Sequence, residues 1–348
     1  MTAGFAASSE ALAVRYDVAL LDLDGVVYVG AAVVPHAADA LAAARRQGMR
    51  TAFVTNNASR RPEAVAAHLR ELGVEATAED VVTSAQAAAR LLRENLAPGT
   101  RVFVVGTDAL ADEVRRVGLV PVGAAPAGGV PEADAVVQGY DPGLVTEQLA
   151  QATALVRNGA LFVAANRDLT VPSARGRLPG NGAYVRVVAE TSGRQPLVAG
   201  KPETTLHAES VDRTAARHPL VVGDRLDTDI EGAVRAGTDA LLVLTGVTDP
   251  TDLLWAPPSR RPTYLAPDLR GLLRPHPATD VAGDGVACRA AHARWAGEAV
   301  EVTGDPGEDG LDGVRAAATL SWLLTDRGHP TGAPARGAAW PAGPRHAG

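Results

Sequence analysis

Val18-Ala-Leu-Leu-Asp22-Leu-Asp24-Gly25-Val-Val-Tyr28 decides how this chain reads, because four apolar residues run into two carboxylates and a glycine. An apolar run of that length bounded by turn residues predicts a buried strand of a parallel sheet. Open parallel sheets bind their ligands at the carboxyl ends of the strands. Asp22 and Asp24 would stand there two residues apart, a nucleophile beside an acid/base, with Gly25 allowing a sharp turn. Asp and Gly are also ordinary turn residues. Three further signals bear on the choice.

Phe53-Val54-Thr55-Asn56-Asn57 is a second apolar run, ending in a hydroxyl and two amides that can hold phosphate oxygens without adding negative charge. Gly200-Lys201-Pro202 follows the short run Leu197-Val198-Ala199. Proline suits the first turn of a helix, so the spacing predicts Lys201 at a helix N-terminus, placed to clamp an anion. Val221-Val222-Gly223-Asp224-Arg225-Leu226-Asp227-Thr228-Asp229-Ile230 is the third. Thr228 and Glu231 have capping-box spacing, which predicts a helix from Asp229 to Gly237 with Asp224 in the loop before it. Asp229 reads either as compensation of the helix dipole or as support for the site. Several carboxylates at one sheet edge repel each other and any phosphate, and a hard divalent cation such as Mg²⁺, which prefers oxygen ligands, resolves both conflicts.

Around these motifs the chain alternates strand and helix, the pattern of an α/β protein with a parallel sheet. Strands are expected near 17–22, 51–55, 197–199, 219–222, 240–244 and 263–265, and a second set near 101–105, 134–138 and 160–164. Leu144 to Arg157 reads as a helix closed by Asn158-Gly159. The second set predicts an α/β domain over 85–194 that interrupts a core domain made of 1–84 and 195–275. Residues 280–327 read as a small C-terminal module, with a hairpin of Val286–Trp295 and Ala299–Val302, an acidic stretch Glu298 to Asp312, and an amphipathic helix Leu311–Arg327. The Pro, Gly and Ala of 328–348 predict a disordered tail.

The 348 residues, 46% apolar with a net charge of −7, fit a globular enzyme and give no reason to expect nucleic acid or an anionic membrane surface as a partner. One cysteine, Cys288, excludes an internal disulfide and a cysteine metal cluster, and nothing beside it activates a thiolate. The eight histidines lack metal-ligand spacing. With no secretory leader and no long apolar stretch, a soluble cytoplasmic protein is expected. A dinucleotide-binding oxidoreductase would need G-x-G-x-x-G after the first strand, and Asp24-Gly-Val-Val-Tyr-Val-Gly30 does not supply it.

Across about residues 15–275, the order and spacing of Asp22-Leu-Asp24-Gly25, Thr55-Asn56-Asn57, Gly200-Lys201-Pro202 and Gly223-Asp224-Arg225-Leu-Asp-Thr-Asp229 resemble the haloacid dehalogenase superfamily, in its NagD-like class IIA group. Gln138-Gly-Tyr-Asp141, Ala165-Asn166-Arg-Asp168 and Pro179-Gly-Asn-Gly182 resemble that group's cap, although Ala165 stands where threonine is common. The resemblance implies a Rossmann-like parallel core with an inserted α/β C2-type cap and a phosphomonoester hydrolase working through an aspartyl-phosphate. It makes Asp22 the nucleophile and Asp24 the general acid/base. Mg²⁺ would be held by Asp22, Asp224 and the Asp24 backbone carbonyl, with Asp229 in support, and phosphate by Thr55, Asn56 and Lys201. Asn166, Val171 and Pro172 would select the leaving group.

The C-terminal extension resembles that of the longer actinobacterial members, which makes glycerol 3-phosphate the foremost substrate, ahead of phosphoglycolate, pyridoxal phosphate and sugar or nucleotide phosphates. The cap offers a surface for a homodimer. A catalytically silent metabolite sensor or scaffold is the alternative of another class, and the intact Asp22, Asp24, Lys201 and Asp224 argue against it.

Overall fold

A computed structural model describes residues 4–126, 128–173, 176–329, 332–337 and 340. The chain divides into two compact units, Met1–Thr51 with Ala216–Gly348, and Ala52–Ala215. None of the described helices is long and apolar enough to cross a membrane.

In the first unit, the strands Val18–Leu21, Pro219–Gly223, Ala240–Val243 and Tyr264–Ala266 pair in parallel, each with its neighbour in that order. Their apolar runs are buried almost without interruption, as a sheet covered on both faces requires. All four were expected to within a residue or two. The helix after Pro219–Gly223 departs from expectation. A π turn, Leu226–Ile230, leads into the α-helix Glu231–Ala236, which ends on Gly237 in the left-handed region at φ 68°. No capping box forms at Thr228, because the Glu231 carboxylate is engaged by Arg235 and Arg260 and Asp229 turns back to accept the Arg225 N–H.

The C-terminal module is larger than one hairpin. Asp280–Ala282, Gly285–Cys288, Ala291–Trp295 and Val300–Gly304 form an antiparallel meander. Ala335–Arg336 adds to it in parallel, within the segment read as a disordered tail, whereas 330–331, 338–339 and 341–348 lie outside the described residues. The helix Asp312–Asp326 is buried on nearly every side. Trp322 Nε1 donates to the Leu253 carbonyl at 2.9 Å, the Trp322 ring lies 5.0 Å from that of Phe5, and Arg261 both covers the ring and pairs with Asp326. The acidic stretch before the helix has a packing role. Asp309 and Asp312 hold the buried Arg315 guanidinium, which also donates to the Leu265 carbonyl.

In the second unit, Phe53, Val54 and Thr55 of the strand Arg50–Thr55 pair in parallel with Val81–Thr83. A separate parallel sheet has the order Leu197–Val198, Leu161–Ala164, Ala135–Gln138, Arg101–Val105, Val120–Val122. The helices Thr146–Arg157 and Asn181–Ser192 cover one face through Phe103, Val136, Phe162, Leu155 and Val188. The expected 144–157 helix starts at Thr146 and stops at Asn158, with Gly159 at φ 106°. Val81–Thr83, Val120–Val122 and the hairpin Thr170–Ser173 with Gly176–Pro179 were not anticipated. Each is too short for its alternation to stand out, and two of them carry proline.

Two outcomes test this packing. Arg315→Ala leaves the buried Asp312 with only the longer Arg289 contact at 3.5 Å and takes the arginine from the half-buried Asp309, and it is expected to cost about 3 kcal/mol in urea unfolding. Burial and the neighbouring Asp312 carboxylate push the Cys288 thiol up to about 12. The native protein should therefore not react with a disulfide reagent at pH 8, and one thiol should appear on unfolding.

Candidate active site

The first unit gathers carboxylates at the carboxyl ends of adjacent strands. Asp22 follows Val18–Leu21, its N–H bonded to the Val222 carbonyl at 2.8 Å, and Asp224 follows Pro219–Gly223 directly. Asp22, Asp224 and Asp229 each bring a carboxylate oxygen to a point where all three lie within 4.8 Å of one another. Asp224 is fully buried, its Oδ2 accepting the Val247 N–H at 2.6 Å, while Asp229 Oδ2 accepts the Arg225 N–H at 3.1 Å.

Three glycines make this approach possible. A Cβ on Gly25 would lie 2.5 Å and one on Gly246 2.0 Å from Asp224 Oδ2, and one on Gly223 would lie 2.2 Å from Asp229 Cβ. Gly25 also holds φ 83°, and its carbonyl accepts the Thr245 hydroxyl at 2.5 Å. Thr245, Gly246 and Val247 escaped the sequence reading. A Thr-Gly pair just past the apolar run 240–243 was the available signal.

The donor set fits a hard divalent cation. Three converging carboxylate oxygens, two of them on buried side chains, hold negative charge that such an ion neutralises. Asp24 points a different way chemically. It retains contact with solvent, yet loss of hydration raises its pKa, against a hydrogen bond from the Gly30 N–H that lowers it.

The second unit assembles the polar residues. Thr55 is buried at the end of its strand, and its Oγ1 accepts the Asn57 N–H at 3.1 Å. Lys201 does not stand at a helix N-terminus. Lys201-Pro202 is a cis peptide in a turn, and the following helix is Thr204–Thr214. Asn56 sets its position instead: Oδ1 accepts the Lys201 N–H at 2.8 Å and Nδ2 donates to the Lys201 carbonyl at 3.2 Å. The Lys201 ammonium donates to the Val54 carbonyl at 3.2 Å.

Asn56 Nδ2 also reaches both carboxylate oxygens of Asp168, at 3.3 and 3.2 Å. Both amide protons thereby face acceptors within the protein. Asn166, expected at the leaving group, is buried. Its Nδ2 donates to the Asn56 carbonyl at 2.7 Å, its Oδ1 accepts the Asp168 N–H, and its carbonyl accepts Asn181 Nδ2. Val171 and Pro172 lie on the Thr170–Ser173 strand opposite Leu178 and Arg177, and Val171 is half-buried. Asp168 was quoted as part of a motif but given no role.

Residues 19–120 match the family model described as haloacid dehalogenase-like hydrolase, and 198–272 match a second, HAD-hydrolase-like model. The chain belongs to the haloacid dehalogenase-like hydrolases. It is 47% identical over 328 residues, 90% of this chain and 88% of the relative, to the D-glycerol 3-phosphate phosphatase of Mycobacterium tuberculosis. A crystal structure of glycerol phosphate phosphatase from that organism in complex with magnesium superposes with a TM-score of 0.83 at 46% identity, covering 94% of this chain and 96% of that one. The acid sugar phosphatase of Staphylococcus saprophyticus is 36% identical over 75% of this chain and 98% of its own length. With relatives of these names, the chain is a phosphatase of this family.

Gly246→Ala places a methyl group against the Asp224 carboxylate, with the main chain of Gly25 behind it. It is expected to weaken Mg²⁺ binding about tenfold or more, a penalty the size of one charge-assisted contact, in calorimetric titration.

Proposed function

We propose that the chain hydrolyses glycerol 3-phosphate in a Mg²⁺-dependent reaction through an aspartyl-phosphate on Asp22. The observation that carries the reading is the convergence of the Asp22, Asp224 and Asp229 oxygens, which suits a divalent cation beside the nucleophile. Bound there, Mg²⁺ supplies a positive charge that lets two anions meet.

Asp22 attacks phosphorus and takes the phosphoryl group as the ester bond to glycerol breaks. Asp24, its pKa raised, gives its proton to the leaving alkoxide. It then takes a proton from the water that cleaves the aspartyl-phosphate, which restores both carboxyl groups and releases inorganic phosphate. Thr55 and Lys201 neutralise the phosphoryl oxygens, and Asn56 contributes through its hold on Lys201. In this reading 1–84 and 195–275 carry the chemistry, 85–194 forms the cap, and the segment with Val171 and Pro172 selects the leaving group.

Similarity to the mycobacterial enzyme over 90% of this chain supports glycerol 3-phosphate over the sugar phosphates implied by the name of the staphylococcal relative. The latter is matched by only 75% of this chain, although 98% of its own length is covered, so it is the shorter protein.

Release of phosphate from glycerol 3-phosphate should require Mg²⁺ and stop with EDTA. Asp22→Asn should lower kcat by about a thousandfold or more while the thermal melt is retained. Full activity in Asp22→Asn would remove the covalent reading. A panel that includes phosphoglycolate, pyridoxal phosphate and sugar phosphates with a higher kcat/KM for any of them would overturn the substrate.

A further inference from the structure

The side chain of Asn56 has one determined orientation. Its Oδ1 faces the Lys201 N–H, a group that can only donate, and its Nδ2 faces the Lys201 carbonyl and the Asp168 carboxylate, which can only accept. Rotating the amide by half a turn would set oxygen against oxygen and nitrogen against N–H. The Asn56 carbonyl is tied as well, by the Ser84 hydroxyl at 2.5 Å and by Asn166 Nδ2 at 2.7 Å. There is no room for slack beside it: a Cβ on Gly200 would meet Asn56 Oδ1 at 2.5 Å and the Ala165 carbonyl at 2.7 Å. Residues 56, 165–168 and 200–201 therefore form one hydrogen-bonded body. The segment expected to select the leaving group begins inside this body, at Asn166, and leaves it after Asp168, whose carbonyl accepts the Gly182 N–H before Thr170–Ser173 follows.

We propose that Asn56 and Asp168 are a positioning pair: the Asp168 carboxylate fixes the Asn56 amide, which holds the Lys201 main chain where its ammonium serves the phosphate. The proposal rests on the phosphatase reading and deepens it. It makes an acidic residue indispensable to anion binding without touching the anion. Asp168 excludes the alternative amide orientation through charge, and the loop that sorts substrates is anchored to the group that binds the part they share. Loss of the pair should therefore weaken all phosphate esters alike, together with free phosphate, rather than change their ranking.

The test is an exchange of partners. Wild type, Asn56→Asp, Asp168→Asn, the double variant and Asp168→Ala are compared by kcat, by KM for glycerol 3-phosphate and p-nitrophenyl phosphate, and by competitive inhibition with inorganic phosphate. Asn56→Asp sets a carboxylate against the Asp168 carboxylate and the Lys201 carbonyl. Both KM values and the phosphate inhibition constant should rise about tenfold, the loss of a charge-assisted hydrogen bond. Asp168→Asn, which keeps one acceptor, should cost about threefold.

In the double variant the amide and the carboxylate trade places, so a donor again faces an acceptor across the pair. About threefold of the Asn56→Asp loss should then return although two residues have changed. Substitution effects that simply multiply, or an Asn56→Asp enzyme with unchanged phosphate inhibition, would overturn the pair. If Asn56→Asp has no cooperative melt, Asp168→Ala decides: the phosphate inhibition constant rises about tenfold with the Mg²⁺ activation constant unchanged, or the proposal fails. A wild-type protein that releases no phosphate with Mg²⁺ would instead refute the phosphatase reading, an outcome the variants cannot mimic.

Discussion

Three like charges held close together are the constraint to which the rest of the catalytic unit answers. At 4.8 Å, a pair of carboxylates repels by about 3 kcal/mol at the effective permittivity of a partly buried site, and three such pairs are present. Arg225, next to Asp224 in sequence, pairs its side chain with the exposed Asp227. The backbone bears the strain of assembly through main-chain donors: the Val247 N–H to Asp224 and the Arg225 N–H to Asp229. A cation held by these oxygens would convert the repulsion into attraction and so support the loops as well as the chemistry.

Close approach of backbone explains why glycine recurs around the carboxylates. Gly25, Gly223 and Gly246 sit where a single methyl group would overlap Asp224 or Asp229. Two loops and a strand end are thereby brought to van der Waals contact, and the carboxylates are aimed by the chain rather than by long side-chain torsions. Short side chains on tightly packed main chain lose little entropy when they bind. That fits a site whose charges must already be in place.

Much of the site was legible because strand ends announce themselves. Val18–Leu21 and Pro219–Gly223 are apolar runs that stop at a carboxylate, and parallel strands put such stops on one edge. Three features were not legible, for one reason. The partners of Asn56 lie 112 and 145 residues along the chain, so its hold on Lys201 and Asp168 has no local signal. Lys201-Pro202 looked like the first turn of a helix, because Pro at that position is favoured, but the helix waits until Thr204. Thr228 and Glu231 had the spacing of a capping box, and Arg235 and the more distant Arg260 claimed Glu231 first. Local propensity is decided by a few tenths to about 1 kcal/mol, and tertiary hydrogen bonds of similar size override it.

The C-terminal module shows the same priority of tertiary contact over local pattern. Leu311–Arg327 reads as an amphipathic helix, whereas Asp312–Asp326 is buried on nearly all sides. Its most polar interior residue explains why. Within this unit Tyr264–Ala266 is the last strand of the parallel sheet, and an outer strand exposes carbonyls and N–H groups that invite pairing with another chain. Arg315 donates to the Leu265 carbonyl from inside the helix, and Asp309 and Asp312 keep its charge compensated. Trp322 reaches the Leu253 carbonyl from the same helix face region two turns further on. The module therefore satisfies one carbonyl of that strand, Leu265, through a buried guanidinium. The extension belongs to the architecture of the catalytic unit before any further role is considered.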